Sequence, residues 1–190
     1  YLYMKKILLL GHKDSKVYNY LVKNYNTQQT LELLTVDIAS KFDYIISYRY
    51  RHIIKQDILD CVRNPIINLH MSYLPWNKGA DPNFWSWYNN TIKGVTIHEI
   101  DKGIDTGNIL IQKQIDLSNK HTLNSSYTKL DDALANLFID NFTKIINNKL
   151  IAKEQIGNGS FHYKKDILPK KKLLTDGWNT PVYKITRSNI

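Results

Sequence analysis

Cysteine is nearly absent from this sequence: Cys61 is the only one among 190 residues. A single cysteine cannot form a disulfide within the chain, which excludes the small secreted folds that depend on disulfides and makes a reducing compartment the natural setting. Long apolar runs are missing too, since ILLL at 7–10 is far shorter than the roughly 20 residues that cross a bilayer. We therefore expect a soluble, cytoplasmic protein that does not enter a membrane.

Internal repeats and low-complexity linkers are also missing, which favours one domain over an array of modules. With 43% hydrophobic residues, a chain of 190 residues can bury a single core. The chain begins YLY before MKKILLLG, so we expect Met4 to be the native start and residues 1–3 to be an addition.

The charge balance is basic, with 26 Lys and Arg against 17 Asp and Glu and a formal net charge of +9. Such an excess favours anionic partners through the summed electrostatic field. The lysines are scattered instead of forming one stripe, and a base-composition bias in the gene would produce the same excess together with the many Asn, Ile and Tyr. The charge alone therefore does not indicate nucleic-acid binding, and we expect no nucleic-acid partner.

The first half of the chain alternates apolar runs with amphipathic segments. The apolar runs are 5–11, 30–36, 42–50 and 65–70. Between them, 16–25 and 51–62 carry apolar residues at helical spacing. Nearly continuous apolar strands separated by helices are typical of a parallel sheet covered on both faces. The pattern predicts a Rossmann-like, doubly wound α/β fold with a mostly parallel sheet and flanking helices.

The second half predicts further elements of the same domain. These are a helix over 82–90, strands over 94–100 and 108–117, and the clearest helix of the chain over 122–148. From Gln155 onward the sequence is rich in turn-forming and aromatic residues. We therefore predict a main domain over 1–150 and a short, irregular carboxy-terminal appendage over 151–190 that packs on it.

Polar side chains follow three of the predicted strands and turns. Asn68 and His70 stand two apart at the end of an apolar run, so a strand points both to the same face. His98 lies in GVTIHEI, and Asp105 lies in the turn DKGIDTG. Ligands of open parallel sheets bind at the carboxyl ends of strands, where these groups could share a cleft. An amide, a group that titrates near neutral pH and a carboxylate are what acyl-type transfer needs.

Each of these residues also has a purely structural interpretation. A buried histidine is often a satisfied core residue, and Asp105 between two glycines can simply form a turn. Two histidines and an aspartate can bind a metal, but these histidines lack the short paired spacing of a zinc motif, so we expect no metal. Taken together, the set favours a functional site.

The order of the motifs resembles one known family. N-x-H is followed by S-Y-L-P, then K-G-A-D-P, then G-V-T-I-H-x-I-D-x-G-I-D-T-G, within residues 42–118. This order is similar to that of the folate-dependent formyltransferases, which include the glycinamide-ribonucleotide and methionyl-tRNA formyltransferases. With SYRYRHII, LPWNKGADPN and QIGNGSFHYKKD, the whole chain is most similar to the branch that formylates amino sugars linked to nucleoside diphosphates. Residues 1–150 would then be the formyltransferase catalytic domain.

The resemblance implies roles for individual residues. The family's catalytic Asn, His and Asp fall on Asn68, His70 and Asp105, and its additional, supporting His falls on His98. Asn68 and His70 would donate hydrogen bonds to the oxygen of the tetrahedral species, while Asp105 would orient the histidine and take the proton of the attacking amine. Met71 departs from the Pro that many relatives have after the His.

The resemblance also implies the ligands. The co-substrate would be 10-formyltetrahydrofolate, and the residues expected to bind it are Asp101, Gly103, Ile104 and Arg49. The acceptor would be a nucleotide-linked amino-deoxysugar of the dTDP-4-amino-4,6-dideoxyglucose type. Its expected contacts are Trp76, Lys78, Gly79 and Tyr163. Lys78 and Gly79 could instead form a solvated surface turn, and Trp85 and Trp178 could be stacking faces or core residues.

Three competing functions remain open at this point. A methionyl-tRNA formyltransferase needs a substantial basic domain after the catalytic one, whereas only 149–190 follow the long predicted helix. A glycinamide-ribonucleotide formyltransferase needs small residues around a monophosphate, which the loop GHKDSK lacks. A catalytically silent anion-binding module would have no need of all three polar groups. The family also includes dimers, so a homodimer is a further expectation.

Overall fold

The computed structural model describes residues 5–187, so the expectation about Met4 and residues 1–3 lies outside the described residues. The strands are β1 (Lys6–Leu10), β2 (Asn26–Thr30), β3 (Tyr44–Tyr48), β4 (Ile67–His70), β5 (Lys78–Gly79), β6 (Gly94–Glu99), β7 (Ile109–Gln114), β8 (Phe161–His162) and β9 (Thr175–Trp178). The α-helices are α1 (Lys16–Asn24), α2 (Val36–Ala39), α3 (Gln56–Cys61), α4 (Pro82–Tyr88) and α5 (Leu123–Ile146). Two 3-10 helices cover Lys164–Leu173 and Val182–Lys184.

Six of these strands form the main sheet, in the order β2-β1-β3-β4-β6-β7. The four neighbouring strands β2, β1, β3 and β4 pair in parallel. In contrast, β6 is antiparallel to both β4 and β7. The chain runs outward from β1 to β2 and then returns to β3 on the other side of β1, as a doubly wound fold does. The predicted α/β class with a mostly parallel sheet is confirmed.

Alternate residues of β1 pack into two separate cores. Ile7 and Leu9 lie in the core formed with α1 and α5, and Leu8 and Leu10 lie in the core formed with α2 and α3. All four side chains are at most 2% exposed. Burying one such side chain contributes about 1.5–3 kcal/mol, so both helical layers hold the strand in place. This double coverage explains why the strand has no polar face.

The structure corrects two of the sequence predictions. The strand expected over 30–36 lies instead at β2, whose residues NTQQT are polar. β2 is an edge strand joined to β1 through backbone hydrogen bonds, which any side chain permits, and Leu31 and Leu33 remain 40% and 51% exposed. The helix expected over 51–62 begins only at Gln56, so Ile53 and Ile54 belong to the connection after β3.

The longest helix, α5, matches the prediction over 122–148. Its start is capped reciprocally: Thr122 Oγ1 accepts a hydrogen bond from the backbone N–H of Ser125, and Ser125 Oγ accepts one from the N–H of Thr122. Leu130, Leu134 and Phe138 then recur every four residues and are at most 1% exposed. This apolar stripe fastens α5 to the sheet beside β4 and β6.

The chain after α5 packs on the elements that precede it. β8 pairs in parallel with β5, and Val182 and Ile185 lie in a third core with Phe84 and Leu123. The predicted boundary between 1–150 and 151–190 stays a prediction. Within residues 5–187, none of the helices combines the length and apolar character that a bilayer crossing needs.

Candidate active site

Two neighbouring strands in the sheet bring Asn68 and His98 side by side. Asn68 of β4 is paired with His98 of β6, and its Nδ2 lies 3.1 Å from Nε2 of the histidine. Nδ1 of His98 lies 2.7 Å from the carbonyl oxygen of Glu99, which can only accept, so Nδ1 carries the proton. Nε2 is therefore the acceptor of a hydrogen bond from Asn68. The other N–H of this amide donates to Oδ1 of Asp105 at 3.1 Å.

Asp105 lies at the centre of the cluster. Its backbone adopts a left-handed conformation, with φ of 54°, and its side chain is 12% exposed. Oδ2 accepts a hydrogen bond of 2.8 Å from the N–H of Gly79 and lies 3.5 Å from Nδ1 of His70, and Oδ1 lies 3.4 Å from Nε2 of His98. Burial alone would raise the pKa of Asp105, but the positive charge of His70 or His98, whenever either ring is protonated, and the N–H of Gly79 hold it well below its usual range. The carboxylate is therefore ionised at neutral pH.

His70 faces Asp105 with one ring nitrogen and the backbone with the other. Nε2 lies 3.1 Å from the carbonyl oxygen of Asn77, so Nε2 carries a proton in the neutral ring. Burial lowers the pKa of His70, and the charge of Asp105 only partly opposes this shift. The neutral ring thus has an unprotonated Nδ1 next to an ionised carboxylate, and the pair can accept one proton.

A cavity of about 920 Å³ opens over this cluster. Its first wall consists of the connection after β3 and the turn after β6, residues 49–54 and 100–105 without Lys102. Its second wall consists of residues 79–84, residues 161–164 and Trp178. Asn68, His70 and His98 also line this cavity, which is large enough for two ligands to approach the cluster.

A family model described as formyl transferase matches residues 12–142. The chain belongs to the formyl transferase family. Among curated members, the dTDP-4-amino-4,6-dideoxyglucose formyltransferase of Mycobacterium tuberculosis (strain H37Rv) is 28% identical over 72% of this chain and 58% of its own length. The methionyl-tRNA formyltransferase of Finegoldia magna is 30% identical over 78% of this chain and 52% of its own length. The chain therefore spans little more than half the length of these two curated relatives.

A solved formyl transferase matches nearly the whole chain. The crystal structure of the formyltransferase PseJ from Anoxybacillus kamchatkensis has a TM-score of 0.90 and 42% sequence identity, and the match covers 95% of this chain and 97% of PseJ. That crystal contains UDP-4,6-dideoxy-4-formamido-L-AltNAc and tetrahydrofolate. The similarity includes the region after α5, which the family model does not match.

All four residues predicted to bind the formyl donor line the first wall of this formyl transferase. Asp101, Gly103 and Ile104 all lie in the turn after β6. Oδ1 of Asp101 accepts hydrogen bonds from the N–H of Gly103 at 3.0 Å and from Oγ1 of Thr106 at 2.6 Å, so this carboxylate stabilises its own turn. Their contact with a folate stays a prediction.

The fourth predicted donor-binding residue, Arg49, is engaged within the protein. Its guanidinium pairs with both carboxylate oxygens of Asp131 on α5, which also accepts a hydrogen bond from the hydroxyl of Tyr48. Arg49 has a φ of 60°, so this ion pair holds a strained residue at the start of the first wall. Its predicted contact with the co-substrate is not tested by this arrangement.

The residues predicted to bind the acceptor are divided between the second wall and the surface. Gly79 and Tyr163 line the cavity, whereas Trp76 and Lys78 lie outside the lining. Nζ of Lys78 lies 3.5 Å from the carbonyl oxygen of Asn158. The acceptor contacts of all four residues stay predictions.

Trp85 and Trp178, for which a stacking role and a core role were both open, lie in different environments. Trp85 is 4% exposed and belongs to the core, where its ring stacks on His162 at 4.0 Å with an interplanar angle of 5°. Trp178 is 52% exposed and lies in the second wall.

The sequence analysis missed four residues of the site. Asn77 supplies the carbonyl that receives His70, Asp131 holds Arg49, His162 lines the second wall, and Gln155 bonds to the backbone of the Asp105 turn. The family resemblance rests in part on LPWNKGADPN and QIGNGSFHYKKD, which contain Asn77, Gln155 and His162, but it implies no role for these three residues. For Asp131, a single sequence offers no signal.

Proposed function

We propose that this chain is a sugar N-formyltransferase. It transfers the formyl group of 10-formyltetrahydrofolate to the 4-amine of a 4-amino-4,6-dideoxy sugar linked to a nucleoside diphosphate. The observation that carries the proposal is the 42% identity to PseJ across 95% of this chain, because PseJ was solved with tetrahydrofolate and a 4-formamido sugar nucleotide. The two-walled cavity supports it, since the chemistry requires a donor and an acceptor to meet at one point.

The attack step uses the polar cluster between the walls. The neutral sugar amine attacks the formyl carbon on N10 of the donor, and negative charge develops on the formyl oxygen. An N–H of Asn68 turns from its resting partner to this oxygen and stabilises the charge. A preorganised donor of this kind typically changes the rate on the order of 10²–10³-fold.

The proton of the amine leaves through the His70 and Asp105 pair. The two groups lie 3.5 Å apart, and the lowered pKa values of both keep the histidine neutral and the carboxylate ionised before the reaction. After the attack, the pair carries the proton, and Nδ1 of His70 becomes a second donor to the oxyanion. When the oxyanion collapses to a carbonyl and the bond between the formyl carbon and N10 breaks, the pair passes its proton to N10 and tetrahydrofolate leaves. His98 keeps the side chains of Asn68 and Asp105 in position throughout the reaction.

The second wall suits the nucleotide part of the acceptor. Phe161, Tyr163 and Trp178 present partly exposed rings to the cavity, and Lys164 brings a cation to the same wall. Aromatic faces stack on bases, and a cation pairs with a diphosphate. We propose a UDP-linked sugar ahead of the dTDP-linked sugar expected from the sequence, because PseJ is the more similar protein.

A substrate panel tests the proposal. The purified protein is incubated with 10-formyltetrahydrofolate and, in parallel, UDP- and dTDP-linked 4-amino-4,6-dideoxy sugars, a 3-amino isomer and methionyl-tRNA. Tetrahydrofolate release is followed by absorbance and the product by mass spectrometry. We expect the 4-amino sugars to be formylated and the UDP form to have the highest kcat/KM. Formylation of methionyl-tRNA alone would overturn the acceptor class, and turnover of none would favour a silent binding module.

A further inference from the structure

The segment that follows α5 runs directly past the turn that carries Asp105. Lys153 exchanges two backbone hydrogen bonds with Ile109, the first residue of β7, at 2.7 and 2.9 Å. This bridge places Gln155 against the connection between β6 and β7. Gln155 lies beyond residue 142, where the match to the family model ends.

The side-chain amide of Gln155 binds two carbonyl groups of that turn. Nε2 donates to the backbone oxygen of Asp105 at 2.8 Å and to that of Gly107 at 2.9 Å. The opposite orientation of the amide would place Oε1 against two carbonyl oxygens, which can only accept, so the orientation is fixed by the contacts. Oε1 is buried, and among the described residues it has no hydrogen-bond partner. Gln155 therefore acts through the two N–H groups of its amide and not through the amide oxygen.

The turn held by Gln155 is tightly constrained on its other side as well. Gly107 lies so close to β6 that a Cβ atom would meet the carbonyl oxygen of Glu99 at 1.9 Å. Asp105 has a φ of 54°, a left-handed conformation that is uncommon for a residue with a side chain. This conformation turns the carboxylate back towards His70 and His98, at 3.5 and 3.4 Å. The backbone of the turn thus decides where the carboxylate lies.

We propose that Gln155 is a positioning residue for formyl transfer. Its two hydrogen bonds hold the backbone of Asp105 to Gly107 in the one conformation that directs the carboxylate at His70. The inference rests on the proposed function for its kinetic consequence, whereas its structural consequence is independent of the substrate. A displacement of about 1 Å at a reacting centre typically costs on the order of a hundredfold in rate.

The kinetic test compares Gln155→Met with wild type. Methionine keeps the length and volume of the side chain but removes both donors. We expect kcat to fall about ten- to a hundredfold, while KM for the amino sugar changes less than about threefold. Ile156→Ala and Glu154→Ala are matched controls because both residues are exposed neighbours, and Ile156 is 90% exposed. A kcat within twofold of wild type in Gln155→Met would overturn the proposal.

A second measurement does not require activity. The charge of Asp105 raises the pKa of His70, so a carboxylate displaced from His70 would lower the titration midpoint of this ring. NMR titration of the histidine rings in wild type and in Gln155→Met should show a lower His70 midpoint in the variant. An unchanged midpoint in the folded variant would overturn the inference even if no substrate is found. If Gln155→Met does not fold, Gln155→Asn, which keeps the amide on a shorter side chain, takes its place in both measurements with the same expected directions.

Discussion

The cluster around Asp105 and the second wall of the cavity are built in opposite ways. His70 and His98 are 7% and 1% exposed, and their polar atoms contact groups within the protein. Tyr163 and Trp178 in the second wall are 59% and 52% exposed. A buried polar network permits few arrangements, whereas an exposed ring can be replaced without unpacking a core. From this difference we expect the cluster to determine the rate and the second wall to determine which acceptor binds.

The largest expected effect comes from removing the charge at the centre of the cluster. In Asp105→Asn, the side-chain oxygen can still accept from Gly79, but the group no longer takes a proton. We expect kcat to fall about 10²–10⁴-fold while the protein keeps its melting temperature within a few degrees. Steady-state kinetics and thermal unfolding measure the two quantities. A variant with near-normal kcat would remove Asp105 from the proton path.

Asn68→Ala should have the next largest effect. The substitution removes the proposed donor to the oxyanion and also releases His98 and Asp105 from their shared partner. We expect a loss on the order of 10²–10³ in kcat, with the dissociation constant of the folate nearly unchanged. Calorimetric titration with tetrahydrofolate provides the control. Equal losses in kcat and in folate affinity would mean that Asn68 acts on binding instead of on the chemical step.

The pH dependence tests the electrostatics of the cluster. The proposed mechanism requires a neutral His70, and burial holds the pKa of this ring below the ordinary value of 6.5. The rate should therefore persist below pH 6.5 and fall about tenfold per pH unit only once the medium is more acidic than the pKa of the buried ring. Profiles of kcat/KM against pH measure this limb. A midpoint above the ordinary histidine value would contradict the assigned protonation states.

The smallest expected effect concerns the second wall. Tyr163→Ala removes one exposed ring from the cavity, so KM for the sugar nucleotide should rise about tenfold while kcat stays within about twofold. Tyr183→Ala is the matched control, because Tyr183 is 60% exposed and lies outside the cavity lining. A fall in kcat without a change in KM would contradict the expectation that the second wall acts on acceptor binding and the cluster on the rate.

The part of the molecule that the sequence could predict is the part with repeating patterns. The apolar runs of β1, β3 and β4 indicated a covered sheet, and the spacing of Asn68 and His70 indicated a shared face. β2 was misplaced because an edge strand needs only backbone groups, and its NTQQT has no apolar pattern. The short α3 was overextended because Ile53 and Ile54 continue the helical spacing without belonging to the helix.

The contacts that complete the site leave no recognisable pattern in a single sequence. Asn77 acts through its backbone oxygen, which every residue has. Arg49 meets Asp131 across 82 positions, and Gln155 meets Asp105 across 50. Neither spacing has a period, so only the folded chain reveals these pairs. The order of the motifs did single out Asn68, His70 and Asp105, which the structure brings together, and their catalytic roles stay a prediction.

The parallel pairing of β5 with β8 affects the order in which the site assembles during synthesis. The N–H of Gly79 that binds Asp105 belongs to a residue paired with His162. The amino-terminal half emerges from the ribosome first, so β1 to β4 can pair long before residue 162 has emerged. The nascent chain therefore carries Asn68, His70 and Asp105 early but completes their arrangement late. We therefore expect the arrangement around Asp105 to be complete only after β8 has paired with β5.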